Sequence, residues 1–220
     1  MRQELIHVYF MPGMAANPSI FEYIKLPEDQ FEIHLLEWIL PIPNESLSSY
    51  ALRMCNFITH ENSVLVGVSF GGILVQEMSA YLKLRKLIII SSVKSKMELP
   101  TRMIIARRTR AYKLLPTQLA GSIDALGKYA FGSVVTKRIE LYKKYLSVSD
   151  KSYLDWAIKQ IICWDRDEPD PNVIHIHGEK DPVFPIANIV DPIVVKGGTH
   201  IMIINKYKWF NENLPKLILR

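Results

Sequence analysis

Two stretches, SVLVGVS (63–69) and KLIIISS (86–92), are apolar at nearly every position. A strand with one wet face alternates apolar and polar residues. A strand without that alternation is covered on both faces, which in a globular chain points to a parallel sheet between two layers of helices. Less pure runs of the same kind occur at LIHVYF (5–10), FEIHLLEW (31–38), NVIHIHG (172–178) and PIVVKGG (192–198). Segments of helical period fill the gaps near 46–59, 70–83 and 205–219. This alternation predicts an α/β fold, a mostly parallel sheet of about six strands flanked by helices. The stretch from Lys94 to Trp164 breaks the rhythm, with helical patterns, no convincing strand, and stops at Pro100, Pro116, Gly121 and Gly132. It reads as a helical cap, 94–164, inserted into a core made of 1–93 and 165–220.

The end of the third run raises a chemical question. In LVGVSFGG (65–72) one serine, Ser69, stands between Gly67 and Gly71 where the strand passes into a helix. That is the context of a G-x-S-x-G nucleophile elbow, whose tight turn leaves no room for side chains at the flanking positions. The pattern alone is weak, since three fixed positions recur by chance in roughly one chain in fifteen of this length. An ordinary glycine turn packing helix on strand stays open until partners are found.

A serine hydroxyl needs a base near neutral pH, and the base needs an orienting acid. Of the six histidines, His7, His34 and His175 lie within predicted strands, where a buried or edge structural role is expected. His60 is expected to end a helix as a cap, and His177 to end a strand. His200, in GGTHIMI, follows the last predicted strand, and Asp181, in HGEKDP, follows the fifth. The carboxyl ends of parallel strands share one edge, so Ser69, Asp181 and His200 can converge there despite their separation in sequence. Glu179 is the competing acid. For an oxyanion site, the loop MPGMAAN (11–17) after the first strand would offer the backbone N–H of Met14 to complement that of Phe70.

With GVSFGG, HGEKD and GGTH in place, in the chain order serine, acid, histidine, the sequence resembles the α/β-hydrolase superfamily, specifically small cap-bearing esterases. The likeness in organisation spans nearly the whole chain outside the cap. It implies hydrolysis through an acyl-serine intermediate, with Ser69 as nucleophile, His200 as base and Asp181 as its orienting acid. Pro12 precedes Gly13 where many relatives carry His-Gly, which leaves the second oxyanion donor open. The layout is similar to pimeloyl-carrier-protein methyl ester esterases. A thioesterase, a menaquinone-pathway-type lyase and a slow-turnover receptor-like binding module would keep the same triad.

Charge bears on the partner. Between Lys94 and Lys151 there are thirteen Lys and Arg against four Asp and Glu, although the whole chain carries only +5. Arg107, Arg108 and Arg110 form the densest group, suited to docking an acidic carrier protein. Lys137, Arg138, Lys143 and Lys144 form a second. No nucleic-acid-binding motif appears, and no apolar run approaches the roughly 18 residues of a membrane span. Glu4 interrupts what a secretory signal would need to keep apolar. Cys55 and Cys163 have no partner at metal-ligand spacing. The expectation is therefore a cytoplasmic protein acting on a small-molecule or carrier-bound ester, without nucleic acid, membrane, cofactor or metal.

Overall fold

The computed structural model describes residues 5–114, 144–145 and 150–220. Its centre is one sheet of six strands, all parallel: β1 (Ile6–Met11), β2 (Phe31–Leu35), β3 (Val64–Val68), β4 (Lys86–Ile90), β5 (Val173–Gly178) and β6 (Ile193–Val195), in the order β2-β1-β3-β4-β5-β6. The purely apolar strands sort by parity. Leu65, Leu87 and Ile89 enter one core layer, together with Tyr9 and Met11. Val64, Val66, Val68, Ile88 and Ile90 enter the other, with Val8 and Phe10. Both faces are buried, which is why period-two alternation is missing from these strands.

The first layer is roofed by α1 (Leu47–Cys55), α2 (Phe70–Met78) and α4 (Lys151–Cys163), which contribute Tyr50, Met54, Ile73, Leu74, Tyr153 and Trp156. Ser46 caps α1 by accepting the Ser49 N–H, and Asp150 caps α4 by accepting that of Tyr153. The second layer is closed by a short 3-10 turn at Pro18–Phe21 and by α5 (Met202–Asn205) and α6 (Tyr207–Leu219). α3 (Thr101–Thr109) contributes no fully buried side chain. By contrast, α4 packs deep in the first layer, with Tyr153 and Leu154 fully buried. Residues 115–143 and 146–149 of the expected cap, Lys137, Arg138 and Lys143 among them, lie outside the described residues.

Several elements are shorter than their sequence patterns predict. β2 ends at Leu35 because it is an edge strand paired only with β1, whose last partner is Phe10; the chain then turns Trp38 inward. β6, at the other edge, pairs over three residues. α1 stops at Cys55 with Asn56 as its C-cap, so His60 does not end a helix but sits on the connection to β3. α2 tightens into a 3-10 turn at Ser79–Tyr81. Among the described residues no helix is long and apolar enough to cross a membrane.

Candidate active site

Strand order reverses between β1 and β3, since the chain goes from β1 outward to β2 and returns to the opposite side of β1. The carboxyl ends of these two strands therefore diverge into a crevice, where α/β sheets place their ligands. Ser69 follows β3 and Gly13 follows β1 at this point, and a Cβ on Gly13 would lie 3.4 Å from the Ser69 Cβ.

Ser69 has φ 52° and ψ −119°, a conformation non-glycine residues seldom adopt. The surroundings enforce it. Its N–H donates to the Ile90 carbonyl at 2.9 Å, and the Ser92 hydroxyl donates to its carbonyl at 2.8 Å. Helix α2 begins at the next residue and passes so close to β3 that a Cβ on Gly67 would strike the Gly71 carbonyl. A Cβ on Gly71 would strike the Pro12 carbonyl in turn. These contacts are the physical content of the G-x-S-x-G spacing.

The three sequence-predicted catalytic residues meet. His200 Nε2 lies 2.9 Å from Ser69 Oγ, and His200 Nδ1 lies 2.9 and 3.1 Å from the two carboxylate oxygens of Asp181. His200 and Asp181 are buried. Asp181 Oδ1 also accepts the N–H groups of Val183 and Phe184, at 2.8 and 3.0 Å. Burial would raise the Asp181 carboxyl, but the charge and hydrogen bond of His200, aided by His177 and the Phe184 N–H, hold it below the usual range. It is therefore a carboxylate at neutral pH. Glu179 points elsewhere and accepts the Gly197 N–H at 2.7 Å.

The loops carrying acid and base are joined to each other. Glu179 N–H donates to Val195 O and Lys180 N–H to Gly198 O, and a Cβ on Gly178 would collide with the Gly198 carbonyl. The HG and GG pairs read in the sequence thus let the two loops touch. Behind them, His175 Nε2 and His177 Nδ1 are 3.1 Å apart, and His177 Nε2 donates to Phe184 O at 2.8 Å. Burial keeps both imidazoles below their usual range, His175 at about 3.

Among the described residues, the N–H groups of Phe70 and Met14, the donors expected at an oxyanion site, have no backbone acceptor outside the helices and strands. Phe70 N–H is free because it opens α2, where the first N–H groups have no intrahelical partner. The Met14 loop is fixed from behind, with Trp38 Nε1 donating to Gly13 O at 2.8 Å. Trp38 also stacks on Phe70, ring centroids 4.9 Å apart.

Sequence reasoning missed three supports. Ser92 braces the elbow, His177 braces the acid loop, and the Arg102 guanidinium of α3 donates to Pro182 O and Val183 O at 3.0 and 2.8 Å. Ser92 and Arg102 act on backbone carbonyls distant in sequence, and His177 on one seven residues further on; a bond to a carbonyl leaves no side-chain pattern there, and only the serine pair closing KLIIISS hinted at one of them. The three arginines expected to dock a partner from the cap differ in their contacts. Arg107 is spent on Asp165, at 2.8 Å, and on the Trp164 carbonyl, while Arg108 and Arg110 are exposed.

This sheet, with a serine on a strained strand-to-helix turn and its partners on the loops after β5 and β6, is the α/β-hydrolase fold. No protein-family profile and no curated relative matches the chain. Solved structures do. It is similar to a bromoperoxidase from Bacillus anthracis (20% identity, TM-score 0.68, covering 99% of this chain and 93% of that one). It is also similar to the enol-lactonase from Burkholderia xenovorans LB400 (13%, TM-score 0.69, 99% and 92%). A thermophilic esterase from Thermogutta terrifontis aligns comparably (12%, TM-score 0.64, 98% and 90%).

Proposed function

We propose that this protein is a serine hydrolase that cleaves a carboxylic ester through an acyl-serine intermediate. The observation that carries the reading is the continuous chain Ser69 Oγ, His200, Asp181, with the serine held in a strained conformation by backbone contacts. The esterase and enol-lactonase among the similar structures support it, since both names denote carboxyl-ester chemistry.

In this reading the Ser69 hydroxyl attacks the ester carbonyl and His200 Nε2 takes its proton. The carboxylate of Asp181 keeps the other imidazole proton on Nδ1 and stabilises the imidazolium. The oxyanion of the tetrahedral intermediate accepts from the Phe70 and Met14 N–H groups, fixed before the reaction begins. His200 then gives the proton to the leaving alkoxide as the C–O bond breaks. Water repeats the sequence on the acyl-serine, releasing the acid and restoring the hydroxyl.

The test is labelling with a fluorophosphonate, combined with turnover of p-nitrophenyl esters of increasing acyl length. The wild type should label at Ser69 and hydrolyse at least one ester with sustained turnover. Ser69→Ala should lose labelling and about 10⁴-fold or more of the rate. Labelling retained in that variant would remove Ser69 as nucleophile, and stoichiometric acylation without turnover would replace the hydrolase by a receptor-like module.

A further inference from the structure

A second group of chemically capable side chains lies away from the triad. β1 and β2 pair in parallel with His7 opposite Glu32 and Tyr9 opposite His34, which puts all four side chains on one face of the sheet edge. His60 arrives from the connection before β3 and stacks on His7, ring centroids 3.5 Å apart. His7 Nδ1 and His34 Nε2 are 3.0 Å apart. One ring nitrogen from each of His7, His34 and His60 lies within 4.8 Å of the other two. All three residues are partly buried.

From this geometry we infer that His7, His34 and His60, with Glu32, form a binding site for a divalent late first-row metal ion such as Zn²⁺. Three imidazoles and one carboxylate are a donor set that suits such ions. Tetrahedral zinc with bonds of about 2.0–2.1 Å sets its ligand atoms about 3.4 Å apart. The His7–His34 pair is already near that separation. Glu32 lies 3.5 Å from His7 Nδ1 and 3.8 Å from His34 Nε2, in place to supply the fourth ligand.

Two further features fit. The nitrogens of His7 and His34 that face each other can share only one proton, so a lone pair is directed into the gap between them. A metal ion replaces that proton and engages both nitrogens. The Tyr9 hydroxyl holds His60 Nδ1 at 2.7 Å and itself accepts the Thr59 N–H at 3.2 Å. This is the outer hydrogen bond that ligating histidines use to fix ring orientation, and it leaves Nε2 for the metal. Binding requires one adjustment, in which the nearly parallel His7 and His60 rings, 8° apart, fan open. The site joins the edge strand β2 and the connection before β3 to β1, along the strands and away from the carboxyl edge that carries Ser69.

The test uses the full chain, stripped with a chelator and titrated with Zn²⁺ by calorimetry, and with Co²⁺ for its visible spectrum. One equivalent should bind with a tetrahedral Co²⁺ spectrum and raise the melting temperature. His34→Asn and His60→Asn should each weaken binding at least about tenfold, while Ser69→Ala binds like wild type. Wild-type affinity no greater than that of the two histidine variants overturns the site. Should those variants fail to fold, assigned ¹⁵N-histidine spectra of the wild-type protein decide the matter: the imidazoles of His7, His34 and His60 move on adding Zn²⁺. Movement confined to His175, His177 or His200, or none, refutes the inference.

Discussion

Replacing Ser69 by glycine should leave a more stable protein than replacing it by alanine, although neither variant should hydrolyse esters. Ser69 sits at φ 52°, ψ −119°, the mirror image of ordinary extended backbone, which glycine enters about as readily as its counterpart. For a residue with a Cβ such a conformation costs of order 1–3 kcal/mol. Both substitutions remove the hydrogen bond to His200, so that loss cancels in the comparison. What remains is the relieved strain, less about 0.5–1 kcal/mol for the greater freedom of glycine in the unfolded chain. The balance centres on about 1 kcal/mol in favour of glycine, or about 2–4 °C in melting temperature for a domain of this size. Thermal melts of the two variants measure it. Ser79 supplies the control, because at φ −60° alanine should be the more stable choice there. An alanine variant at Ser69 that melts at or above the glycine variant would refute the claim that the elbow stores strain.

The acid can be assigned kinetically: Asp181→Asn should lower kcat by up to about 10⁴-fold with the fold intact, while Glu179→Gln, at a side chain that accepts the Gly197 N–H, should leave it little changed. The reverse ranking would move the acid to Glu179. Stability should fall in acid because of His175, whose folded pKa of about 3 lies below its unfolded value near 6.5 through burial first and the neighbouring His177 second. Between those values the unfolded chain binds more protons, so the contribution is complete above about pH 6.5 and shrinks as pH drops, by up to about 1.4 kcal/mol per unit. The depressed Asp181 carboxyl acts in the same direction at still lower pH. Urea unfolding from pH 7 to pH 4 tests this, since His175→Gln should flatten the slope, and an unchanged slope would exclude His175 as its source.

What could be read from the sequence follows from how each feature is built. β3 and β4 announced themselves because both their faces are buried, and α2 because its serine and glycines must pass β3 at backbone contact distance. The edge strands β2 and β6 were overdrawn because the extent of an edge strand is set by its one neighbour. Ser69, Asp181 and His200 were legible together because a parallel sheet delivers successive strand ends to one side, so chain order and loop position substitute for proximity in sequence.

The same reasoning explains why the histidine cluster was hidden while the triad was not. His7 and His34 are 27 residues apart and become neighbours only through the register that sets Tyr9 against His34. A shift of one residue in that pairing would turn the β2 side chains to the opposite face and separate them. His60 depends in addition on α1 ending at Cys55, which the helical pattern overran to residue 59, so sequence reading assigned His60 to a cap. Metal-ligand motifs are recognised when one turn or helix fixes the spacing of their ligands. Here the spacing is fixed by strand pairing and a helix end, and it therefore becomes visible only after register and helix length are known.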